Sequence, residues 1–305
     1  MKIKLISGNA NINLAKQISS IIGVNISNTE ICHFNDGEIQ VKIFDNISNN
    51  DCYIIQPTNT PVNENLMELL IIADALKRSS AKSITAVVPY YGYARQDRKV
   101  GNGTPITAKL IANLIVSSGI TKLITIDLHS TQIQGFFDIP VEHICSAKIF
   151  SNYFKNKHDN FIVVSPDIGG VSRARFFAKL LNVDLAVINK QRINQNELYI
   201  TTLIGNVKNK NCIIFDDIID TGKTIVKVVD FIKKNGALKI FVAASHGVFS
   251  NDSKKIIHNS CIEELIITNS INFINNYPTE KITILSVAEI LAETIKNINK
   301  KTNNV

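Results

Sequence analysis

Cys212-Ile-Ile-Phe-Asp-Asp-Ile-Ile-Asp-Thr-Gly-Lys-Thr224 reads as an apolar strand that runs into two acids and then into a short loop opening a helix of apolar periodicity. A loop at a helix N-terminus presents unpaired backbone N–H groups and the positive end of the helix dipole, which together hold a phosphate. Gly222 lets the backbone approach closely, and the Thr221 and Thr224 hydroxyls add donors. Asp216 and Asp217 fall at the carboxyl end of the strand, beside the phosphate nest, where the vicinal hydroxyls of a sugar would lie. Acids next to a phosphate site are wasteful unless they hold hydroxyls or a metal ion, so the layout describes a ribose-phosphate pocket.

The Gly-Lys-Thr ending invites comparison with an ATPase phosphate loop, but that motif needs a glycine five residues before Gly222, where this chain has Asp217. The segment instead resembles the phosphoribosyl diphosphate loop of the type I phosphoribosyltransferase fold, in which acids, Thr and Gly must all fall in register. The bland alternative is a strand–turn–helix corner with incidental Asp and Thr.

A chain of 305 residues is long enough for two domains, each with its own core. With 45% hydrophobic and 19% charged residues it is not a disordered protein, and no apolar run reaches the length of a membrane span. The apolar stretch that follows Met1-Lys2 is too short for a signal-peptide core and reads as a first strand. The five cysteines are odd in number, far apart and without metal-ligand spacing, so buried reduced thiols and a cytoplasmic location are expected. The net charge of +7 is scattered, and Lys and Arg form the majority of a five-residue window only at Arg95–Lys99. That argues for a solvated surface and a polyanionic small substrate, not for nucleic acid or a membrane.

Apolar strands alternate with amphipathic helices from end to end, the pattern of parallel sheets with crossover helices. Strands are expected at 4–7, 39–42, 52–56, 83–88 and 123–126, then at 161–165, 185–188, 212–215, 239–244, 264–268 and 282–285. Helices are expected at 13–22, 63–79, 105–118, 146–155, 171–181, 224–235 and 288–300. Two similar successions imply a duplicated α/β domain, each copy with a mostly parallel sheet flanked by helices, and the resemblance of the Cys212–Thr224 loop implies that the two domains are type I phosphoribosyltransferase-like. The expected boundaries are 1–146 and 147–305, with the C-terminal helix returning to cover the first domain.

Val88-Pro-Tyr-Tyr-Gly-Tyr-Ala-Arg-Gln-Asp-Arg-Lys99 follows a strand and gathers tyrosines and cations on one loop. It reads equally as a basic surface loop with tyrosines packed beneath, or as a nucleotide loop with aromatics for stacking and Arg forks for phosphates. Phe34-Asn-Asp-Gly-Glu38 is, in isolation, the chemistry of a tight hairpin turn. His129 and Asp167 each follow a strand end, at the carboxyl edge where ligands of open α/β sheets collect. Lys190 and Arg192 sit one residue apart after the strand at 185–188, close enough in an extended loop to reach one anion.

Together with Thr125-Ile-Asp-Leu-His-Ser130, Gln134-Gly-Phe-Phe137 and Val164-Ser-Pro-Asp-Ile-Gly-Gly170, these segments resemble the ribose-phosphate pyrophosphokinase family from about Ile6 to about Ile295. The resemblance implies transfer of the diphosphoryl group of Mg-ATP to the 1-hydroxyl of ribose 5-phosphate for nucleotide biosynthesis. It implies that Phe34, Asp36 and Glu38 contact adenine and ribose of ATP, and that Arg95, Gln96 and Asp97 lie along the nucleotide and its phosphates. His129 and Asp167 are placed near Mg2+ and the ATP phosphates. Lys190 and Arg192 stabilise the transferred group, with Arg192 also at the ribose 5-phosphate. Asp216, Asp217 and Asp220 hold the sugar hydroxyls, and Thr221, Gly222, Lys223 and Thr224 hold the 5-phosphate. A homo-hexamer with sites shared across subunits is implied as well. The chain departs from the family at Lys223, Ser48, Val100-Gly-Asn-Gly-Thr104 and the tail Lys301–Val305, which puts allosteric control by phosphate and ADP in doubt and leaves the catalytic set intact. A phosphoribosyltransferase or an inactive regulatory homologue is the alternative.

Overall fold

The computed structural model describes residues 3–157, 160–192, 198–273 and 280–303, without the side chains of 191–192, 198–201 and 301–303. The chain divides into two compact units, one of Met1–Ile144, Ser270–Asn272 and Ser286–Val305, the other of Cys145–Asn269 and Phe273–Leu285.

In the first unit, β1 (Ile3–Ser7), β4 (Asp51–Ile55), β5 (Ser83–Val88), β6 (Lys122–Ile126) and β7 (Val141–Ile144) form an all-parallel sheet in the order β1-β4-β5-β6-β7. The helices are α1 (Ile12–Ile22), α2 (Val62–Arg78) and α3 (Thr107–Ser117), with the C-terminal helix Ala288–Asn303 alongside α1. β4 is buried at every position, as expected of a parallel strand covered on both faces. An antiparallel hairpin of β2 (Thr29–His33) and β3 (Ile39–Ile43) stands apart from this sheet and lays Ile31, Val41 and Ile43 on the core.

In the second unit, α4 (Ala147–Lys155) leads to β8 (Phe161–Ser165), α5 (Val171–Leu181), β9 (Leu185–Arg192), β10 (Leu198–Ile204) and β11 (Asn211–Ile219). There follow α6 (Lys223–Lys234), β12 (Ile240–Gly247), α7 (Ser253–His258), β13 (Glu264–Thr268) and β14 (Ile282–Leu285). The sheet order is β10-β9-β8-β11-β12-β13-β14, parallel except for the antiparallel β9–β10 pair. Alternation along β11 sends Ile213 and Phe215 into a core shared with α4 and α5, and Cys212 and Ile214 into a core shared with α6.

Each unit is thus a mostly parallel sheet flanked by helices, the expected fold class. Among the described strands and α-helices, four are not foreseen by the pattern: β2, β7, β10 and α7. Thr-Glu-Ile-Cys-His in β2 lacks an apolar run because the hairpin buries only one face. β9 and β11 also run four residues beyond their expected ends, to Arg192 and Ile219. Burial of the thiols holds for Cys52 and Cys212, both pushed up to about 12 by burial, while Cys261 is exposed and Cys32 and Cys145 are half-buried.

Below β11, Phe154 meets Tyr153, Phe161, Phe241 and Phe177 edge-on at centroid distances of 5.5, 5.6, 5.9 and 6.2 Å, and Phe177 stacks on Phe215 at 4.3 Å. Such pairs add to plain burial. Phe154→Ala should destabilise the second unit by about 3–5 kcal/mol, read as a fall in the midpoint of urea unfolding.

Candidate functional site

β8 is shorter than the strands on either side of it. Its pairing with β11 ends at Val164↔Ile214 and its pairing with β9 at Ser165↔Val187, so β9 and β11 both run on past it. The chain moves outward from β8 to β9 and β10 and then returns to the other flank as β11. The border between β8 and β11 is therefore a topological switch point, where open α/β sheets form a crevice at the carboxyl ends of their strands.

Asp216 and Asp217 lie within β11, on the edge that β8 has vacated, not beyond the strand end as the sequence pattern suggested. By alternation Asp217 follows Phe215 toward the α5 side and Asp216 follows Ile214 toward α6. Arg173, in the first turn of α5, gathers them: its Nη1 is 2.8 Å from Asp217 Oδ1 and 3.4 Å from Asp216 Oδ1. Asp216 Oδ1 also accepts the Asp217 backbone N–H at 2.9 Å. Burial, followed by the neighbouring Asp217 carboxylate, pushes the Asp216 carboxyl well above the usual carboxylate range.

After β11 the chain turns through half-buried Asp220 and Thr221 to Gly222, the N-cap of α6 at φ +74°. That left-handed conformation is what glycine supplies here. A Cβ at Gly222 would find only ordinary contacts, the nearest at 3.4 Å from Ile257, so close approach is not the reason for it. As the N-cap, Gly222 contributes no side-chain cap to the first-turn N–H groups of α6, which open at the mouth of the loop. Thr224 is half-buried in that turn and Lys223 is exposed.

The turn from β8 to α5 carries Asp167. One of its carboxylate oxygens accepts the Gly170 N–H at 2.8 Å, and the other meets Lys190 Nζ at 2.7 Å. Burial alone would raise this carboxyl, but the Lys190 ammonium and the Gly170 N–H outweigh it and hold it below the usual range. Lys190 is a residue of β9 and not of a loop after it, because β9 continues in antiparallel pairing with β10. Arg192 ends β9, and its side chain lies outside the described residues.

In the first unit, Phe34–Glu38 forms the tip of the β2–β3 hairpin. Phe34 N–H donates to Glu38 O at 2.9 Å, Glu38 N–H donates to Asp36 Oδ1 at 3.1 Å, and Phe34 is 51% exposed. A hydrogen bond between His33 Nε2 and the Glu64 carboxylate ties the hairpin to α2. The Val88–Lys99 segment separates by chemistry. Tyr90 and Tyr91 are buried, the Tyr91 hydroxyl donating to Ala108 O at 2.8 Å, with its ring edge-on to Phe137 at 5.6 Å. Arg95, Gln96, Arg98 and Lys99 are exposed and Asp97 is half-buried. Gln96 Oε1 accepts the Thr107 hydroxyl at 2.6 Å. For Tyr90 and Tyr91 the packed reading holds, while the cations and Gln96 face outward. His129 is exposed just after β6, beyond a corner at which Asp127 adopts φ +37°.

The structure thus brings Asp167, Lys190, Asp216 and Asp217 to one notch of the second unit, and places Phe34, Asp36, Glu38, Arg95, Gln96, Asp97 and His129 on the hairpin and carboxyl edge of the first. Sequence reasoning missed Arg173. In Val-Ser-Arg-Ala-Arg it looks like one of two cations on a solvated helix face, and only the pairing of α5 with β11 distinguishes it from exposed Arg175. Among the described residues no group of three or more His, Cys, Asp or Glu is arranged to hold a metal ion, and no helix is long and apolar enough to cross a membrane.

Comparison with known proteins agrees with this architecture. Residues 3–119 match the N-terminal domain of ribose phosphate pyrophosphokinase, and residues 192–304 match the phosphoribosyl synthetase-associated domain. A ribose-phosphate pyrophosphokinase of Listeria ivanovii is 47% identical over 301 residues, covering 98% of this chain and 95% of the relative. The Bacillus subtilis ribose-phosphate pyrophosphokinase is 46% identical over 300 residues with the same coverage. The crystal structure of a phosphoribosylpyrophosphate synthetase from Mycobacterium smegmatis superimposes with a TM-score of 0.93 at 37% identity, covering 99% of this chain and 100% of that one. The chain belongs to the ribose-phosphate pyrophosphokinase family.

Proposed function

We propose that the protein transfers the diphosphoryl group of Mg-ATP to the 1-hydroxyl of ribose 5-phosphate, giving 5-phosphoribosyl 1-diphosphate and AMP for nucleotide biosynthesis. The observation that carries this reading, in a chain of this family, is the placement of Asp216 and Asp217 on β11, and of Asp220 just after it, at the N-terminus of a helix whose N-cap is Gly222. Carboxylates accept the sugar's hydroxyls, while the α6 N–H groups with Thr221, Gly222, Lys223 and Thr224 receive its 5-phosphate. A phosphoribosyltransferase would have no use for the segments Phe34–Glu38 and Tyr90–Lys99. An inactive homologue would have no reason to keep Lys190, Arg192, His129 and Asp167 together.

On this reading Phe34, Asp36 and Glu38 hold the nucleoside, and Arg95, Gln96, Asp97 and His129 line its phosphates. Lys190 and Arg192 neutralise charge developing on the moving group, with Arg192 also beside the sugar phosphate. Phosphoryl chemistry of this kind is mostly positioning and charge neutralisation. Asp167, a hard oxygen donor held in place by Gly170, suits Mg2+, which takes one or two carboxylates plus phosphate oxygens, with His129 as the second protein group. When bound, Mg2+ would supply charge neutralisation at those phosphate oxygens. A cytoplasmic homo-hexamer with sites shared between subunits completes the proposal. The direct assay is AMP release from ATP that depends on ribose 5-phosphate; release without the sugar phosphate would reject the reading.

Three outcomes are expected. Lys190→Ala should lower turnover far more than it weakens ATP binding, since its cation acts mainly as charge develops; a raised KM with near-normal turnover would contradict this. Asp220→Ala and Thr224→Ala should weaken ribose 5-phosphate while calorimetry finds Mg-ATP affinity nearly unchanged. Lys190→Ala should also raise the Asp167 pKa, followed by carboxyl-carbon NMR. The sign follows from linkage: a depressed folded pKa gives stability that is present above about pH 4, the unfolded value, and is lost as pH falls through the folded value. The variant should therefore lose less stability than the parent on acidification.

A further inference from the structure

Arg173 belongs to no part of the reaction assigned above, yet it touches both acids at the notch of β11. Its side chain is only 17% exposed, Asp217 is 5% exposed, and their 2.8 Å contact is closer than the 3.4 Å contact to Asp216. Successive residues of a strand point to opposite faces, so two adjacent aspartates do not converge on one ligand by themselves. Here a single guanidinium nitrogen reaches the Oδ1 atoms of both. The connection that supplies Arg173 also supplies Asp167: one turn, Ser165 to Gly170, places an acid against Lys190 and the helix after it places a base against β11.

The charges acting on Asp216 are Asp217 beside it, Arg173 from α5 and Asp167 from the turn before α5. Two carboxylates that share a half-buried site tend to keep one proton between them. A protonated member is a donor with reduced accepting capacity, and a pair meant to accept from two hydroxyls then loses part of its function. Arginine stays charged at every relevant pH and offers several donors in a fixed fork, so it opposes that proton without competing for it.

We propose that Arg173 is a positioning residue of the ribose 5-phosphate subsite, its guanidinium drawing Asp216 and Asp217 to one side of β11 and keeping both as acceptors for the sugar's hydroxyls. The inference rests on the proposed substrate, and the experiment separates the two. Calorimetry measures ribose 5-phosphate and, separately, Mg-ATP binding to the full chain, to Arg173→Met and to Arg173→Lys, between about pH 6 and pH 9. At neutral pH, Arg173→Met should weaken ribose 5-phosphate by about tenfold or more and leave Mg-ATP within about twofold. The deficit should shrink as pH rises, because base removes the shared proton that Arg173 otherwise opposes; a merely structural role would not give that slope. Arg173→Lys, with the charge but not the fork, should fall between the two.

Unchanged sugar-phosphate affinity in Arg173→Met, an equal loss for both ligands, or a deficit flat with pH would overturn the proposal. The methionine variant leaves two acids uncompensated and could fail to fold. In that case Arg173→Lys decides: parent-like affinity at every pH overturns the proposal, and a weakened affinity that recovers with base supports it. A parent chain that binds no ribose 5-phosphate would remove the substrate reading and this inference with it, whereas a parent and a methionine variant that bind alike would remove the inference alone.

Discussion

Gathering carboxylates at the end of one buried strand is the constraint around which the second unit is arranged. Asp216 and Asp217 are adjacent on β11, Asp220 follows, and the field of Asp167 reaches Asp216. Burial and the neighbouring Asp217 and Asp167 charges work against the ionisation of Asp216. The answer is geometric. β8 stops short, so the strands on either side overhang a notch, and the elements bordering it bring cations to the acids: Lys190 from β9 to Asp167, Arg173 from α5 to Asp217 and Asp216. The Phe150, Phe154, Phe177 and Phe215 cluster beneath β11 is close-packed and gives this edge a stiff floor.

The first unit meets a related problem with a different device. At the carboxyl ends of β1 and β4, Gln56 is fully buried and Glu68 nearly so, and the network between them is satisfied without a cation. Glu68 Oε1 accepts the Asn9 N–H at 2.6 Å and Gln56 Nε2 at 2.8 Å, Oε2 accepts Asn9 Nδ2 at 2.9 Å, and Gln56 Oε1 accepts the Ala10 N–H at 3.1 Å. Burial pushes the Glu68 carboxyl up against these bonds. Gly8 is required by the same crowding, since a Cβ there would lie 2.2 Å from Gln56 Oε1. The result is a rigid carboxyl edge, with exposed cations on one loop and an exposed Phe34 on a separate hairpin.

The parts legible in the sequence are those whose meaning is local. The strand, short turn and helix order of Cys212–Thr224 is recovered as β11 and α6, and the succession of apolar strands and amphipathic helices describes the fold class. What escaped depended on partners far along the chain. β9 reads as ending at Ile188 because Asn-Lys-Gln-Arg is polar, but pairing with β10 carries it to Arg192. β11 reads as ending at Phe215, while β12 keeps pairing with it as far as Ile219↔Gly247. Tyr90 and Tyr91 read as stacking platforms or as core with equal ease, and the α3 carbonyl that takes the Tyr91 hydroxyl is 17 residues away. Arg173 is the extreme case, a cation whose meaning lies 43 and 44 residues downstream.

Intact transfer of a diphosphoryl group is the central chemical claim, and 31P NMR of ATP, Mg2+ and ribose 5-phosphate with the full chain tests it most directly. The account requires AMP and 5-phosphoribosyl 1-diphosphate to grow in together in equal amounts, with no signal from ADP or free orthophosphate in the early phase. Growth of ADP with a singly phosphorylated sugar carbon, or of orthophosphate irrespective of the sugar phosphate, would contradict it.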